Sequence, residues 1–312
     1  MAREADVEMR ADHLFALGEA LRAAGYSFVT PTPATHQRVN ERARSRAARD
    51  LRDVFGWSRS FVAGSLPPEI AALATRAGVL IEEGDRLRAT VRFSTIGPRL
   101  FVHSAYPTTD PDAVFFGPDT YRYCRFIAAN VPRGAKRVVD IGCGSGAGGI
   151  VASDHVARVV LADVNRSALM FAAVSARFAG LESRVQVIES DVLEGVDGPI
   201  DVAMANPPYL VDPGKRTYRD GGGSFGEGLA VRMATEALER LDRGGRLVLY
   251  TGATIVDGVD TFLTAVRPVC EARGTTWRYE ELDPDVFGEE IQENDSYAVA
   301  ERIAAVGLVV DV

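Results

Sequence analysis

The chain is poor in residues that form cross-links and in runs long enough to enter a membrane. Its three cysteines, Cys124, Cys143 and Cys270, are scattered without metal-ligand spacing. They imply neither a disulfide framework nor a zinc site, and no metal is expected; a reducing compartment suits them. No apolar run approaches the length of a membrane span. The first residues, Met-Ala-Arg-Glu-Ala-Asp-Val-Glu, are charged where a leader would be apolar. Neither export nor anchoring is expected, and a cytoplasmic protein is. Lysine is nearly missing: Lys136 and Lys215 stand alone among arginines, which reads as genome bias. Internal repeats and low-complexity segments are lacking too.

What is present is ordinary for a globular chain with a sizeable core: 312 residues, 46% hydrophobic and 25% charged, a length that suggests two domains. Charge is uneven. Residues 1 to 134 carry 18 Arg/Lys against 15 Asp/Glu, and the remainder 17 against 28, so the halves stand at +3 and −11. An acidic second half argues against a long nucleic-acid track there.

The most informative stretch is Val138 to Gly149, Val-Val-Asp-Ile-Gly-Cys-Gly-Ser-Gly-Ala-Gly-Gly. It reads as a strand, a glycine turn and a helix start. Residues without a Cβ take positive φ and let backbone N–H groups face a ligand at a helix N-terminus. As a pattern, Gly144-x-Gly146-x-x-Gly149 also fits a dinucleotide site. Asp140 separates the two, because a carboxylate at the strand end would repel a pyrophosphate and suits a cationic ligand.

From Arg137 onward strands alternate with helices, the pattern of a doubly wound sheet. Strands are expected near 137–141, 158–162, 185–188, 201–205 and 246–250, with a final pair near 276–282 and 297–303. Helices are expected at 147–154, 166–179, 227–242 and 257–272.

The N-terminal part reads differently. An amphipathic helix over 5–24, with Leu14, Leu17 and Leu21 on one face, stops at Gly25. Thr35 can cap a second helix to about Val54, with Arg38, Arg42, Arg46 and Arg49 on one stripe. That stripe could grip phosphates; a solvated arginine face is the alternative. A short helix to Arg76 and strands at Val79–Glu82, Leu87–Phe93 and Leu100–His103 resemble a winged helix. His103 reads as a packed or surface residue. The expected domains are 1–111, an α+β, winged-helix-like substrate-docking domain, and 112–312.

The Asp140-x-Gly142-Cys143-Gly144-x-Gly146 segment resembles motif I of class I S-adenosylmethionine methyltransferases, whose ligand carries an ammonium and a sulfonium. That resemblance implies an α/β, Rossmann-like seven-stranded fold for 112–312 and S-adenosylmethionine as cofactor. Asp163 would then hold the ribose hydroxyls, followed by Val164 and Asn165, and Asp191 with Val192 would meet the adenine. Phe115 to Tyr121 resembles the segment that precedes the catalytic domain in release-factor glutamine methyltransferases, making Thr120 and Tyr121 candidates; Thr120 is equally a helix cap.

Asn206-Pro207-Pro208-Tyr209, directly after the fourth strand, resembles motif IV of methyltransferases that modify planar amino groups. An amide or exocyclic amine is a poor nucleophile because its lone pair is delocalised. Acceptors at Asn206 and Pro207 would draw its nitrogen towards sp3. The prolines fix the backbone, and Tyr209 can stack on the flat target.

The glycine-rich segment 211–228, with Lys215, Arg216, Tyr218 and Arg219, reads either as a lid that orders on substrate or as a plain connection. The expected substrate is a protein glutamine or a nucleic-acid base, with a monomer favoured. A nicotinamide oxidoreductase and a silent binding module are the remaining alternatives.

Overall fold

A computed structural model describes residues 2–45, 47–108, 110–272 and 274–312, with side chains from residue 8 onward and Arg44 described by its backbone only. The chain divides into two compact units. The first comprises Met1–Tyr121, Gly144–Ala147 and Ser167–Ser183, and the second Arg122–Cys143, Gly148–Arg166 and Arg184–Val312. Two later stretches of sequence therefore fold with the first unit.

The first unit contains helices α1 (Ala2–Ala23), α2 (Pro33–Asn40), α3 (Leu51–Phe55) and α4 (Pro68–Arg76). Strands β1 (Leu80–Glu83) and β2 (Arg86–Ala89) pair as one hairpin, and β3 (Val91–Ile96) and β4 (Arg99–Ser104) as another. The single hairpin expected for a winged helix is thus two. The run Leu87–Phe93 breaks at Thr90, whose N–H donates to the Val79 carbonyl and whose carbonyl accepts from Ala105.

The long second helix is also replaced. Thr32, not Thr35, caps α2, accepting from the Thr35 N–H. The helix ends at Asn40 because that side chain turns to the Trp57 carbonyl (2.9 Å) and accepts from Arg59 (2.8 Å). Arg38 lies on α2, Arg42 in a turn and Arg49 before α3, bonded to Asp53. Arg46 lies outside the described residues. No continuous arginine stripe exists among the described positions. The core gathers Leu14, Leu17 and Leu21 of α1 with Phe28, Phe55, Phe93, Phe171 and Phe178.

Helix α5 (Pro118–Asn130) leads into the second unit, where the sheet runs β5 (Arg137–Ile141), β6 (Arg158–Asp163), β7 (Val185–Glu189) and β8 (Val202–Ala205), with α6 (Ala147–Ala152) and α7 (Arg166–Phe178) between them in sequence. It continues with α8 (Gly228–Arg240), β9 (Arg246–Val256), β10 (Val259–Asp260), α9 (Thr261–Glu271), β11 (Thr276–Asp283), α10 (Gly288–Glu293) and β12 (Arg302–Asp311). The spatial order is β11-β12-β9-β8-β5-β6-β7, with β10 pairing off β9. Pairs among β5 to β9 are parallel, and β12 is antiparallel to both neighbours. Setting β10 aside, this is the expected seven-stranded α/β sheet, and β5 and β8 are buried as central parallel strands must be.

The last strand lies later than the expected 297–303. Residues up to Tyr297 form α10 and a 3-10 turn, while Ile303–Val310 run through the sheet interior. Gly307 interrupts that apolar run because the Phe126 ring occupies the space a Cβ would need. Helix α9 starts at Thr261, with Asp260 accepting from the Leu263 N–H at 2.7 Å.

Candidate functional site

Strand register places the candidate residues in a row. Asp163 pairs with Glu189, and Ile141 pairs with both Ala162 and Ala205. One step further along the strands, Glu189, Asp163, Gly142 and Asn206 follow one another across β7, β6, β5 and β8. Neighbouring strands lie about 4.8 Å apart, so Asp163 and Asn206 stand roughly 10 Å from each other at the carboxyl edge, where ligands bind in open α/β sheets.

The turn after β5 needs its glycines: Gly142, Gly144 and Gly146 have φ of 68°, 54° and 78°. Its first amides are not turned to a ligand, however. Gly142 and Cys143 both donate to the Ala162 carbonyl, at 2.8 and 3.0 Å. Asp140 also departs from expectation. It is 1% exposed, one carboxylate oxygen accepting from the Tyr123 hydroxyl and the other from the Gly149 N–H, both at 2.7 Å. Burial pushes its pKa up to about 7, against the pull of those two donors. Asp140 therefore braces the turn, its carboxylate closed in by Tyr123 and the Gly149 N–H. Tyr123, which sequence reading passed over, is the other half of that brace, its ring filling the space beside Gly148.

Asp163 ends β6 and is 9% exposed, with one oxygen accepting from the Asn165 N–H at 2.9 Å. Val164 beside it is 47% exposed, an apolar surface next to a carboxylate. Asp191 lies beyond β7 and accepts from Arg232 at 2.9 Å, whereas Glu189, in the edge row, pairs with Arg166. Val192 is buried with φ 47°. Thr120 accepts from the Gly117 N–H at 3.2 Å as a local cap, and the Tyr121 hydroxyl accepts from Thr30 N–H within the first unit.

Asn206 is half-buried, and among the described residues its side chain forms no hydrogen bond. Tyr209 is different from the expected stacking surface. Its ring is buried, lies where a Cβ on Gly252 would sit, and meets the Phe287 ring edge-to-face at 5.9 Å and 68°. Gly252 and Phe287 carry no motif, and only their contacts with Tyr209 reveal them.

The segment after Tyr209 is tied down. Leu210 exchanges backbone bonds with Arg219 and Gly221, and Leu229 N–H donates to Gly221 at 2.7 Å. Gly221 and Gly226 come against the Pro208 and Tyr209 backbone too closely to admit a Cβ, so these glycines serve packing. Its cations are paired: Arg216 with Asp212 and Lys215 with Asp220 inside the segment, and Arg219 with Glu290 of α10. No group of three or more His, Cys, Asp or Glu suited to a metal ion occurs among the described residues, and no described helix is long and apolar enough to cross a membrane.

Comparison with known proteins agrees with this geometry. The family model described as Methyltransferase small domain matches residues 114–255. Residues 114–255 are a methyltransferase small domain. It is of the class I, S-adenosylmethionine-dependent type.

The release factor glutamine methyltransferase of Deinococcus radiodurans is 30% identical over 196 residues, covering 59% of this chain and 66% of that protein. That of Borreliella burgdorferi is 27% identical over 142 residues, covering 41% and 49%. The ribosomal protein uL3 glutamine methyltransferase of Neisseria gonorrhoeae is 36% identical over 74 residues, 23% of this chain and 25% of that one. The chain thus spans about half to two thirds of the two release-factor relatives. Trm5b of Pyrococcus abyssi shares the fold at TM-score 0.51 and 14% identity, over 79% of this chain and 71% of that chain.

Proposed function

We propose that the protein transfers a methyl group from S-adenosylmethionine to the side-chain amide nitrogen of a protein glutamine. The observation that carries this reading is Asn206, a half-buried amide at the carboxyl end of β8 whose hydrogen-bonding groups find no partner among the described residues. A planar NH2 offers two donors, and the Asn206 side-chain oxygen with the Pro207 carbonyl would accept them. The prolines fix the backbone that carries both acceptors before the substrate arrives. The amide proton leaves to water after methylation, so no strong base is needed.

The cofactor fits the residues present. Asp163 at the end of β6 would hold its ribose, exposed Val164 would cover its adenine, and the turn at Gly142 and Cys143, braced by Asp140, would shape the near wall. When bound, it supplies an electrophilic methyl group on a sulfonium. The relatives named for glutamine methylation favour a protein amide, and so do the −11 charge of residues 135–312 and the broken arginine stripe.

The test is methyl transfer from radiolabelled S-adenosylmethionine into a lysate of cells lacking the protein, divided between protease and nuclease before counting. Loss of label to protease, with N-methylglutamine in the acid-free digest, supports a glutamine substrate. Loss to nuclease contradicts it.

A further inference from the structure

We propose that Phe287 is a positioning residue which anchors the buried ring of Tyr209 and so holds the Asn206–Pro207 backbone at which the target amide would bind; the proposal rests on the methyl-transfer reading above. Phe287 has φ 55° and ψ 39°, the left-handed region that glycine or asparagine takes readily and a bulky L-residue avoids. Strain of this kind persists only where the surroundings over-determine it, and it gathers at functional sites.

The surroundings here are explicit. The Val286 N–H donates to the Ile303 carbonyl at 2.8 Å, and the Phe287 carbonyl accepts from the Glu290 N–H at 2.9 Å. Glu290 is buried and ion-paired with Arg219 of the segment that follows the Asn-Pro-Pro-Tyr motif. Asn294 donates to the Val211 carbonyl at 2.8 Å, and the Tyr297 hydroxyl accepts from the Val211 N–H at 2.8 Å. The connection between β11 and β12 is thus fastened at three points to residues just past Tyr209.

A glycine at 287 would relieve the backbone and satisfy every one of those bonds. What it would lose is the ring that meets Tyr209 edge-to-face at 5.9 Å. Gly252 makes room for the Tyr209 ring, and Gly221 and Gly226 hold its backbone. Phe287 then fixes the ring's remaining freedom, and with it the course of the backbone from Asn206 to Tyr209.

The test compares Phe287→Gly, Phe287→Leu and Phe287→Tyr in the full chain. Phe287→Gly is expected to melt no lower than the parent and to lose about tenfold in kcat, with the affinity for S-adenosylmethionine unchanged. Phe287→Leu should fall between, and Phe287→Tyr should restore kcat. A readout independent of activity is the flip rate of the Tyr209 ring by NMR, expected to rise in the glycine and leucine variants.

Parent-like kcat in Phe287→Gly would overturn the proposal. So would a large drop in melting temperature that tracks the loss of rate, since the ring would then be packing alone. If the parent methylates no protein, the glutamine reading fails while the mobility of the Tyr209 ring still decides the role of Phe287: a ring that flips no faster in Phe287→Leu than in the parent overturns it, and a faster-flipping one sustains it.

Discussion

Polar clusters in the two units end in different ways. In the first unit, those around Arg59 and His103 are answered from within. The Arg59 and Asp53 side chains pair at 6% and 5% exposure. His103 bonds Ser94 at 2.8 Å and the Ser104 carbonyl at 3.0 Å, and Ser94 meets Thr30. In the second, Asp140 is answered in the same manner, but at the next strand over the half-buried Asn206 side chain has no hydrogen-bond partner among the described residues. A polar network that closes on itself specifies structure; one that stops short at a sheet edge is available to a ligand. Buried side-chain atoms without a hydrogen-bond partner occur in both units, on His13, Glu19, Arg86 and Arg92 in the first and on Arg219 and Thr261 in the second.

The comparison breaks most sharply at the Arg59–Asp53 pair. Arg59→Leu leaves the buried Asp53 carboxylate with Arg49 as its remaining cation, and urea unfolding should show a loss of about 3 kcal/mol. Specific activity per folded molecule should be unaltered. Asp140→Ala comes next. It strands the Tyr123 hydroxyl and the Gly149 N–H, and a loss of about 2–3 kcal/mol is expected, with weakened S-adenosylmethionine binding in calorimetry because the braced turn loosens.

The smallest effect is one of pH, and its sign differs between the units. Burial first, then the Arg92 charge, lowers the pKa of His36 from 6.5 to about 4; the same causes hold His103 well below its ordinary value. A histidine whose folded pKa is depressed contributes stability that is complete above 6.5 and is lost as pH falls through 4. Asp140 is raised from 3.8 to about 7 by burial, with neighbouring Asp163 adding to the rise. Its contribution is complete below 3.8 and is lost as pH climbs through 7. Urea midpoints of His36→Gln and Asp140→Asn, each referred to the parent between pH 4.5 and 7.5, should therefore diverge. The deficit of the histidine variant grows with pH, and that of the aspartate variant shrinks. Parallel slopes would contradict the account.

The second unit was far more legible in the sequence than the first, for a physical reason. Val138–Gly149 and Ala203–Tyr209 combine strand composition with glycine and proline whose backbone demands are local, so register and turn follow from neighbours in sequence. The end of α2 is set by Asn40 reaching Trp57 and Arg59, partners well along the chain. The break at Thr90 is likewise fixed by Val79 and Ala105. Within the site, Asp140 reads as a ligand contact until the Tyr123 hydroxyl is seen bonded to it. The glycines of 211–228 read as freedom until they are seen pressed on Pro208 and Tyr209. Phe287 offers no local sign at all, because its significance lies in a contact with a residue 78 positions earlier.

The central claim is that Asn206 holds the amide undergoing methylation. Its most direct test is Asn206→Ala assayed for turnover on the methylated protein and, separately, for S-adenosylmethionine affinity by calorimetry. The account predicts kcat reduced about 10²–10³-fold, the scale for losing a preorganised transition-state contact, with cofactor affinity and urea midpoint close to the parent. Methylation at the parent rate would contradict it.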